Sequence, residues 1–127
     1  MRYKTNIAPF SFGLSLVRQL NPIRFEWKTG GTKDLGFSAE DVAAIEPLLV
    51  TYNSNGEVEG VKYDRMSAVL VNALKEQQTQ IEAQQTQLRQ QHTELESQRL
   101  QLNQQRVLID GLRQMACKQN PGAEICQ

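Results

Sequence analysis

The stretch that decides the fold spans residues 74–112 and reads LKEQQTQ IEAQQTQ LRQQHTE LESQRLQ LNQQRVL IDGL when it is divided every seven residues. Each block opens with an aliphatic residue, and each complete block has a glutamine three positions later. No proline or glycine interrupts the chain between Asp64 and Gly111. A strict seven-residue period keeps one narrow seam facing a partner helix, whereas a surface helix of a single chain carries a broader apolar stripe. The segment therefore predicts a coiled coil.

In heptad notation the aliphatic residues occupy the a positions and the glutamines the d positions. A glutamine buried at d needs hydrogen-bond partners for its carbonyl and its amide group, and three such side chains can form a ring that water or an anion completes. Three strands are therefore favoured, in a register fixed because a slip would oppose glutamine to leucine. We call these positions the seam, and they are Leu74, Gln77, Ile81, Gln84, Leu88, Gln91, Leu95, Gln98, Leu102, Gln105, Ile109 and Leu112.

Charged residues beside the seam favour parallel strands. Glu94 falls at g and Arg99 at the following e, which is the pairing that bridges neighbouring helices in a parallel coil. One such pair is weak support by itself. His92, the only histidine, falls at e and is expected on the surface. The competing interpretation is a disordered, glutamine-rich tail, but the unbroken repeat argues against it.

The residues ahead of the coil have the composition of a folded core, since every Phe, Tyr and Trp precedes Asp64. Their patterns predict a helix over 9–20, strands at 23–27 and 35–37, a helix capped by Ser38 that ends before Pro47, and a hairpin of 48–52 and 57–63. Such a unit is shorter than the roughly 70–80 residues with which one core usually suffices, so association is expected. The predicted fold class is α+β, with a core unit at 1–73, a coiled coil at 74–115 and a tail at 116–127.

Composition also limits the partners. Lys plus Arg and Asp plus Glu both number 14, so there is no electrostatic reason to expect nucleic acid or an anionic membrane. No apolar run approaches the ~20 residues of a membrane-spanning helix, and no leader-like segment opens the chain. Gly30-Gly31 is too short to cradle a phosphate, and we expect no metal or other cofactor. Because Met1 leads directly into Arg2, we expect native residues upstream.

Two cysteines, Cys117 and Cys126, flank the turn Asn120-Pro121-Gly122 near the end of the sequence. The turn brings the chain back on itself, which suits a local disulfide and would imply an oxidising compartment. Two free thiols on a frayed tail are the alternative. A zinc site would need more ligands nearby.

Several separated blocks of the sequence resemble one known family. Through these blocks, at roughly residues 2–80, the chain is similar to the C-terminal intramolecular chaperone and self-cleaving peptidase domain of endosialidases, phage tail spikes and tail fibres. The same domain is present in bacterial surface proteins and in the myelin regulatory factor. The blocks are RYKTNI (2–7), LNP (20–22), FEWK (25–28), LGFSAEDV (35–42), PLLV (47–50), VKYDR (61–65) and LVNALKE (70–76).

The resemblance implies a specific function. Such domains bring three chains of an upstream passenger into register and then release themselves with a Ser–Lys dyad, in which the serine lies about four or five residues ahead of the lysine. Lys4 matches the lysine, and the serine would precede Met1, so the present sequence should be inactive. A lysine acts as a base only after it loses its proton, which the apolar Tyr3, Ile7 and Phe10 and the cationic Arg2 would favour. A solvated lysine is the alternative.

Two functions follow as hypotheses. The first is a trimerisation chaperone with one self-cleavage, an autocatalytic serine endopeptidase in the full protein, acting in phage virion assembly or at a bacterial cell surface. The second is a structural oligomerisation or adhesin tip domain that never cleaves. An enzyme for external substrates is a distant third, because Ser38 lacks the second glycine of a nucleophile elbow and is better explained as a helix cap.

Overall fold

The computed structural model describes residues 2–127 and divides the chain into two compact units, the first extending to Ile81 and the second from Glu82 to Gln127. The structure is α+β, as predicted. Its elements are α1 (Leu14–Val17), β1 (Ile23–Glu26), β2 (Lys33–Gly36), α2 (Ala39–Ile45), β3 (Val50–Tyr52), β4 (Val58–Val61) and α3 (Tyr63–Gln119), with short 3₁₀ turns at Pro47–Leu49 and Glu124–Cys126.

Strands β1 and β2 form an antiparallel hairpin, in which Ile23 lies opposite Gly36 and Glu26 opposite Lys33. The predicted double-glycine turn is present, with φ values of 86° at Gly30 and 65° at Gly31. Glycine adopts this left-handed conformation without the steric cost that a Cβ imposes, so the pair suits the turn.

Strands β3 and β4 form a second antiparallel hairpin, which starts from Val50 opposite Val61 and contains a register shift between Thr51 and Tyr52. Asn53 organises the turn, because its Oδ1 accepts the backbone N–H groups of Asn55 and Glu57 at 2.9 Å each. The predicted strand over 48–52 is two residues too long at its start. Pro47 begins a 3₁₀ turn there, and the Glu46 carboxylate accepts the Leu48 N–H at 3.0 Å.

Helix α2 begins as its sequence predicts. The Ser38 hydroxyl accepts the Asp41 N–H at 3.2 Å, which satisfies one of the amide groups left unpaired at a helix start. Val42 is fully buried on the inner face.

Helix α1 differs from the prediction. A helix was expected over 9–20, but only Leu14–Val17 is helical, with Gly13 as its cap. The backbone groups of residues 10–14 form hydrogen bonds with side chains of α3 instead. The Asn72 amide donates to the carbonyl oxygens of Phe10 and Phe12, and the Glu76 carboxylate accepts the Leu14 N–H. These bonds replace the ones that a longer helix would form within itself.

The core is small and wholly apolar. Met66, Val69 and Ala73 bring one face of α3 into it, and no polar or charged side chain among residues 2–127 is buried. The aromatic side chains lie around this core and not within it. The buried residues are Leu16, Val42, Leu49, Val50, Met66, Val69 and Ala73.

Gly36 is constrained by Tyr63. A Cβ at this position would collide with the Tyr63 hydroxyl, which itself accepts the Phe37 N–H at 3.1 Å. We predict that Gly36→Ala lowers the free energy of unfolding by about 1–3 kcal/mol, as overpacking does elsewhere, measured by chemical denaturation. Adding Tyr63→Phe should restore part of the loss because it removes the obstructing oxygen.

The matched control is Gly111→Ala, since a Cβ there meets no atom within 4 Å. That change should leave stability equal or slightly higher, because alanine favours the helix. Equal stabilities of the wild type and the Gly36→Ala variant would contradict the steric argument.

Candidate functional site

The segment that carries Lys4 is exposed. Tyr3 and Ile7, expected to cover the lysine, are 88% and 58% exposed in the single chain. The Arg2 guanidinium lies 5.8 Å from the centroid of the Tyr3 ring. Within residues 2–127 the Lys4 ammonium forms no hydrogen bond and no ion pair. One chain therefore does not build the apolar surroundings that a lysine base requires.

Two side chains of α3 hold the C-terminal part of this segment. The Asn72 amide donates to the carbonyl oxygens of Phe10 and Phe12 at 2.6 and 3.2 Å. The Glu76 carboxylate accepts the Leu14 N–H at 3.1 Å. Since Asn72 and Glu76 are four residues apart, they lie one above the other on the same face of the helix. We call this pair the anchor.

The anchor requires the close approach of Gly13 to α3. A Cβ at Gly13 would lie 2.8 Å from the backbone nitrogen of Ala73 and 2.9 Å from the carbonyl carbon of Asn72. Both atoms belong to the backbone, so they cannot move aside as a flexible side chain would. Glycine is therefore the residue that lets the segment reach both anchor side chains.

The anchor is not among the features predicted from the sequence. Its signal was present, because the block LVNALKE contains a polar pair with i,i+4 spacing beside the start of the seam. The bonds join residues about 60 positions apart, which no local pattern reveals.

The first turns of α3 have three distinct faces: one is buried, one carries the anchor, and one is apolar and exposed. One face, with Met66, Val69 and Ala73, is buried in the core. A second carries the anchor. The third, with Leu70 and Leu74, is exposed, and it is in phase with the seam because Leu70 falls at d and Leu74 at a. Folding of the first unit therefore leaves the seam uncovered from its first leucine.

The aliphatic seam residues are all exposed in the single chain, from 46% at Ile81 to 65% at Leu112. A helix with such a row of apolar side chains is expected to bury it against another surface. The predicted contact between Glu94 and Arg99 concerns neighbouring helices and stays a prediction. Within one chain Arg99 pairs with Glu96 at 3.6 Å, and Glu94 accepts from the Gln98 amide at 3.5 Å.

The tail after α3 folds back into a closed loop. Cys117 and Cys126 are joined by a disulfide, with their Cα atoms 5.6 Å apart. The Arg113 Nε donates to the carbonyl oxygen of Ile125 at 2.7 Å. These two links fix the loop to the last turns of the helix.

Other kinds of site find no support in the described part of the chain. No group of three or more His, Cys, Asp or Glu side chains could hold a metal ion among residues 2–127. None of the helices formed by these residues combines the length and apolar character of a membrane span.

Residues 1–51 match the family model described as chaperone of endosialidase. Residues 1–51 are thus similar to this family, and the rest of the chain lies outside the match. The match confirms the resemblance drawn from the sequence blocks, and it extends from the Lys4 segment into β3. It ends before the anchor and the seam, whose assignment depends on the geometry and the heptads described above. No curated protein and no solved structure gives a significant match to the chain.

The anchor can be tested by local exchange. We predict that Glu76→Ala raises the hydrogen exchange rate of the Leu14 amide roughly tenfold, the factor that corresponds to about 1.4 kcal/mol for a bond to a charged group. Asn72→Ala should increase cleavage of residues 10–13 by an added protease. Global stability is a poorer measure because alanine itself favours the helix.

Thr79→Ala serves as the control, because the Thr79 hydroxyl bonds only to the Lys75 carbonyl of its own helix, at 3.1 Å. Exchange at Leu14 should be unchanged in this variant. The anchor would be refuted by equal Leu14 exchange rates in the Glu76→Ala and Thr79→Ala proteins.

Proposed function

We propose that this chain is a trimerisation chaperone, which associates with its own copies through α3 and brings an upstream passenger of the same polypeptide into register. The observation that carries the proposal is the family match on the folded unit, combined with an exposed seam that starts within that unit. The family description names a chaperone, and the seam supplies a physical means of assembly.

The two kinds of seam residue contribute differently: the aliphatic residues at a stabilise the coil, and the glutamines at d set its register. Burial of a leucine or isoleucine side chain contributes about 1.5–3 kcal/mol, and every a position from Leu74 to Ile109 offers one. The glutamines at d add little net stability, because their polar groups must exchange water for one another. They make the register specific instead. Such a coil is selective but weak, so it depends on the folded unit to begin assembly.

The anchor supports the link between assembly and the passenger. A passenger would enter the domain through residues 2–12, and the anchor binds this segment to the helix that forms the seam. When three copies of α3 come together, three entry segments are therefore brought together in the same register. The chaperone effect proposed here is this transfer of alignment from α3 to the chain ahead of it.

Self-cleavage is the finer part of the proposal. Lys4 is the proposed general base, and the proposed nucleophile is a serine upstream of Met1. The serine hydroxyl would attack the carbonyl carbon of the preceding residue while Lys4 accepts its proton. The bond to the serine's own amide nitrogen would then break, and the nitrogen would leave as an amine that takes up this proton. Water would hydrolyse the resulting ester and release the preceding residue with a free carboxylate. Tyr3 and Ile7 are exposed in a single chain, and we propose that neighbouring copies supply the apolar cover that these residues do not. Cleavage would then follow assembly, because the base is formed only in the trimer.

A permanent oligomerisation tip is the second candidate. The solvent exposure of Lys4 in the single chain favours it, because one chain does not supply the apolar surroundings that a lysine base requires. This candidate shares the trimer and differs only in the absence of cleavage.

The trimer has a direct test. Sedimentation equilibrium should give three times the chain mass of 14.4 kDa at micromolar concentration. Leu88→Asp should shift the distribution toward monomers, because it places a carboxylate in the seam, whereas Thr86→Asp on the outer face should not. A monomeric wild type would refute the proposal, and a dimer would retain the coil but not the trimer.

The dyad has a second test, in the chain extended upstream by its native residues. This protein should cut itself immediately before the serine, at a rate independent of protein concentration once trimers have formed. Lys4→Ala should abolish cleavage and leave the trimer intact. Lys4→Arg should act likewise, because a guanidinium keeps its proton. Gel electrophoresis and intact mass report both outcomes.

Lys28→Ala, another exposed lysine of the first unit, is the control and should cleave normally. Cleavage at the normal rate in the Lys4→Ala protein would show that the assigned base is wrong. An extended wild type that forms trimers without cutting itself would establish the permanent tip.

A further inference from the structure

The closed loop formed by residues 117–126 lies on one flank of α3. In the heptad register of the seam Arg113 is at e and Cys117 is at b, and these positions are neighbours on the helix surface. Arg113 donates a hydrogen bond to the carbonyl of Ile125, and Cys117 forms the disulfide with Cys126. Both links therefore place the loop on the e side of the seam. The Ile125 side chain is 55% exposed there.

The opposite flank of the helix, formed by the g positions, changes from polar to apolar near the end of α3, at the level of the closed loop. Its g positions are polar through most of the coil and become apolar only at the end, where Leu108 and Met115 are 67% and 63% exposed. Neither residue belongs to the seam, so packing at a and d does not account for them. The g positions are, in order, Gln80, Gln87, Glu94, Gln101, Leu108 and Met115.

The heptad register places the g flank of one helix next to the e flank of the adjacent helix. In a parallel coiled coil a g residue lies beside the e residue five positions later on the adjacent helix. Leu108 of one copy therefore lies beside Arg113 of the next, and Met115 lies at the level where the adjacent α3 ends, at Gln119. The g flank becomes apolar at the level where the adjacent helix carries the closed loop. We infer that the closed loop of one chain docks on Leu108 and Met115 of the adjacent copy, with Ile125 as its apolar contact.

A second copy is the occupant that the geometry favours. The e and g positions lie on opposite sides of the seam, so a chain cannot cover its own Leu108 while its Arg113 holds Ile125. The contact also continues directly from the seam, which ends at Leu112. The inference rests on the proposed parallel coil. It adds that the disulfide supports the assembly across subunits and not only within the tail.

The test compares Leu108→Ser with the matched control Val107→Ser. Val107 is 71% exposed but falls at f, on the outer face of the coil. Thermal unfolding of the trimer is followed by circular dichroism with and without a phosphine reductant, after intact mass has shown the unreduced protein about two daltons below the reduced one. Reduction should lower the midpoint of the wild type and of the Val107→Ser protein by a few degrees.

In the Leu108→Ser protein the midpoint should already be lower, and reduction should cause little further change, because the docking site is gone. An isotope-filtered NOE experiment on trimers of mixed labelled and unlabelled chains should show contact between Ile125 and Leu108 methyl groups of different chains. Equal effects of reduction in all three proteins, or the absence of this contact in an intact trimer, would overturn the inference.

Sedimentation of the same samples separates this inference from the proposed function. A trimer without the intermolecular contact leaves the chaperone proposal standing and removes the docked loop. A wild type that sediments as a monomer removes both.

Discussion

Packing of Met66 and Val69 into the core of the first unit is the interaction on which the rest of the structure depends. It fixes the rotation of α3 about its own axis at the point where the helix begins. Because a helix repeats its faces at a constant angle, this one contact decides which residues are covered by the core and which are left for the seam. With the helix turned otherwise, Leu70 and Leu74 would lie in the core and the seam would lose its first layers.

The anchor is a second consequence of that rotation. Asn72 and Glu76 lie beside the buried face, where the segment ahead of α1 passes close enough for Gly13 to contact the helix backbone. Each of these bonds contributes only about 1–3 kcal/mol, but together they join the segment ahead of α1 to α3.

Local signals predicted much of the fold. The Gly30-Gly31 turn, the Ser38 cap and the hairpin around Asn53 each depend on a few neighbouring residues, and each is present in the structure. The length of α1 could not be predicted in this way. The apolar residues of 9–20 have helical spacing, but backbone groups of this segment form hydrogen bonds with Asn72 and Glu76, about 60 positions away. The contact of Gly36 with Tyr63 could not be predicted either, because these residues are also far apart in the sequence. Of the predicted site residues, the structure shows the Cys117–Cys126 disulfide, while the roles of Lys4 and the seam stay predictions. The exposure of Tyr3 and Ile7 could not be predicted, because their apolar character alone favours burial.

A core of seven buried residues has a consequence for the life of the protein in a cell. So small a core gives an unassembled chain few buried contacts, and any association of copies would make stability rise with their concentration by mass action. Single chains would open often and expose themselves to cellular proteases, while assembled chains would be protected. Degradation would thereby act first on chains that had not associated.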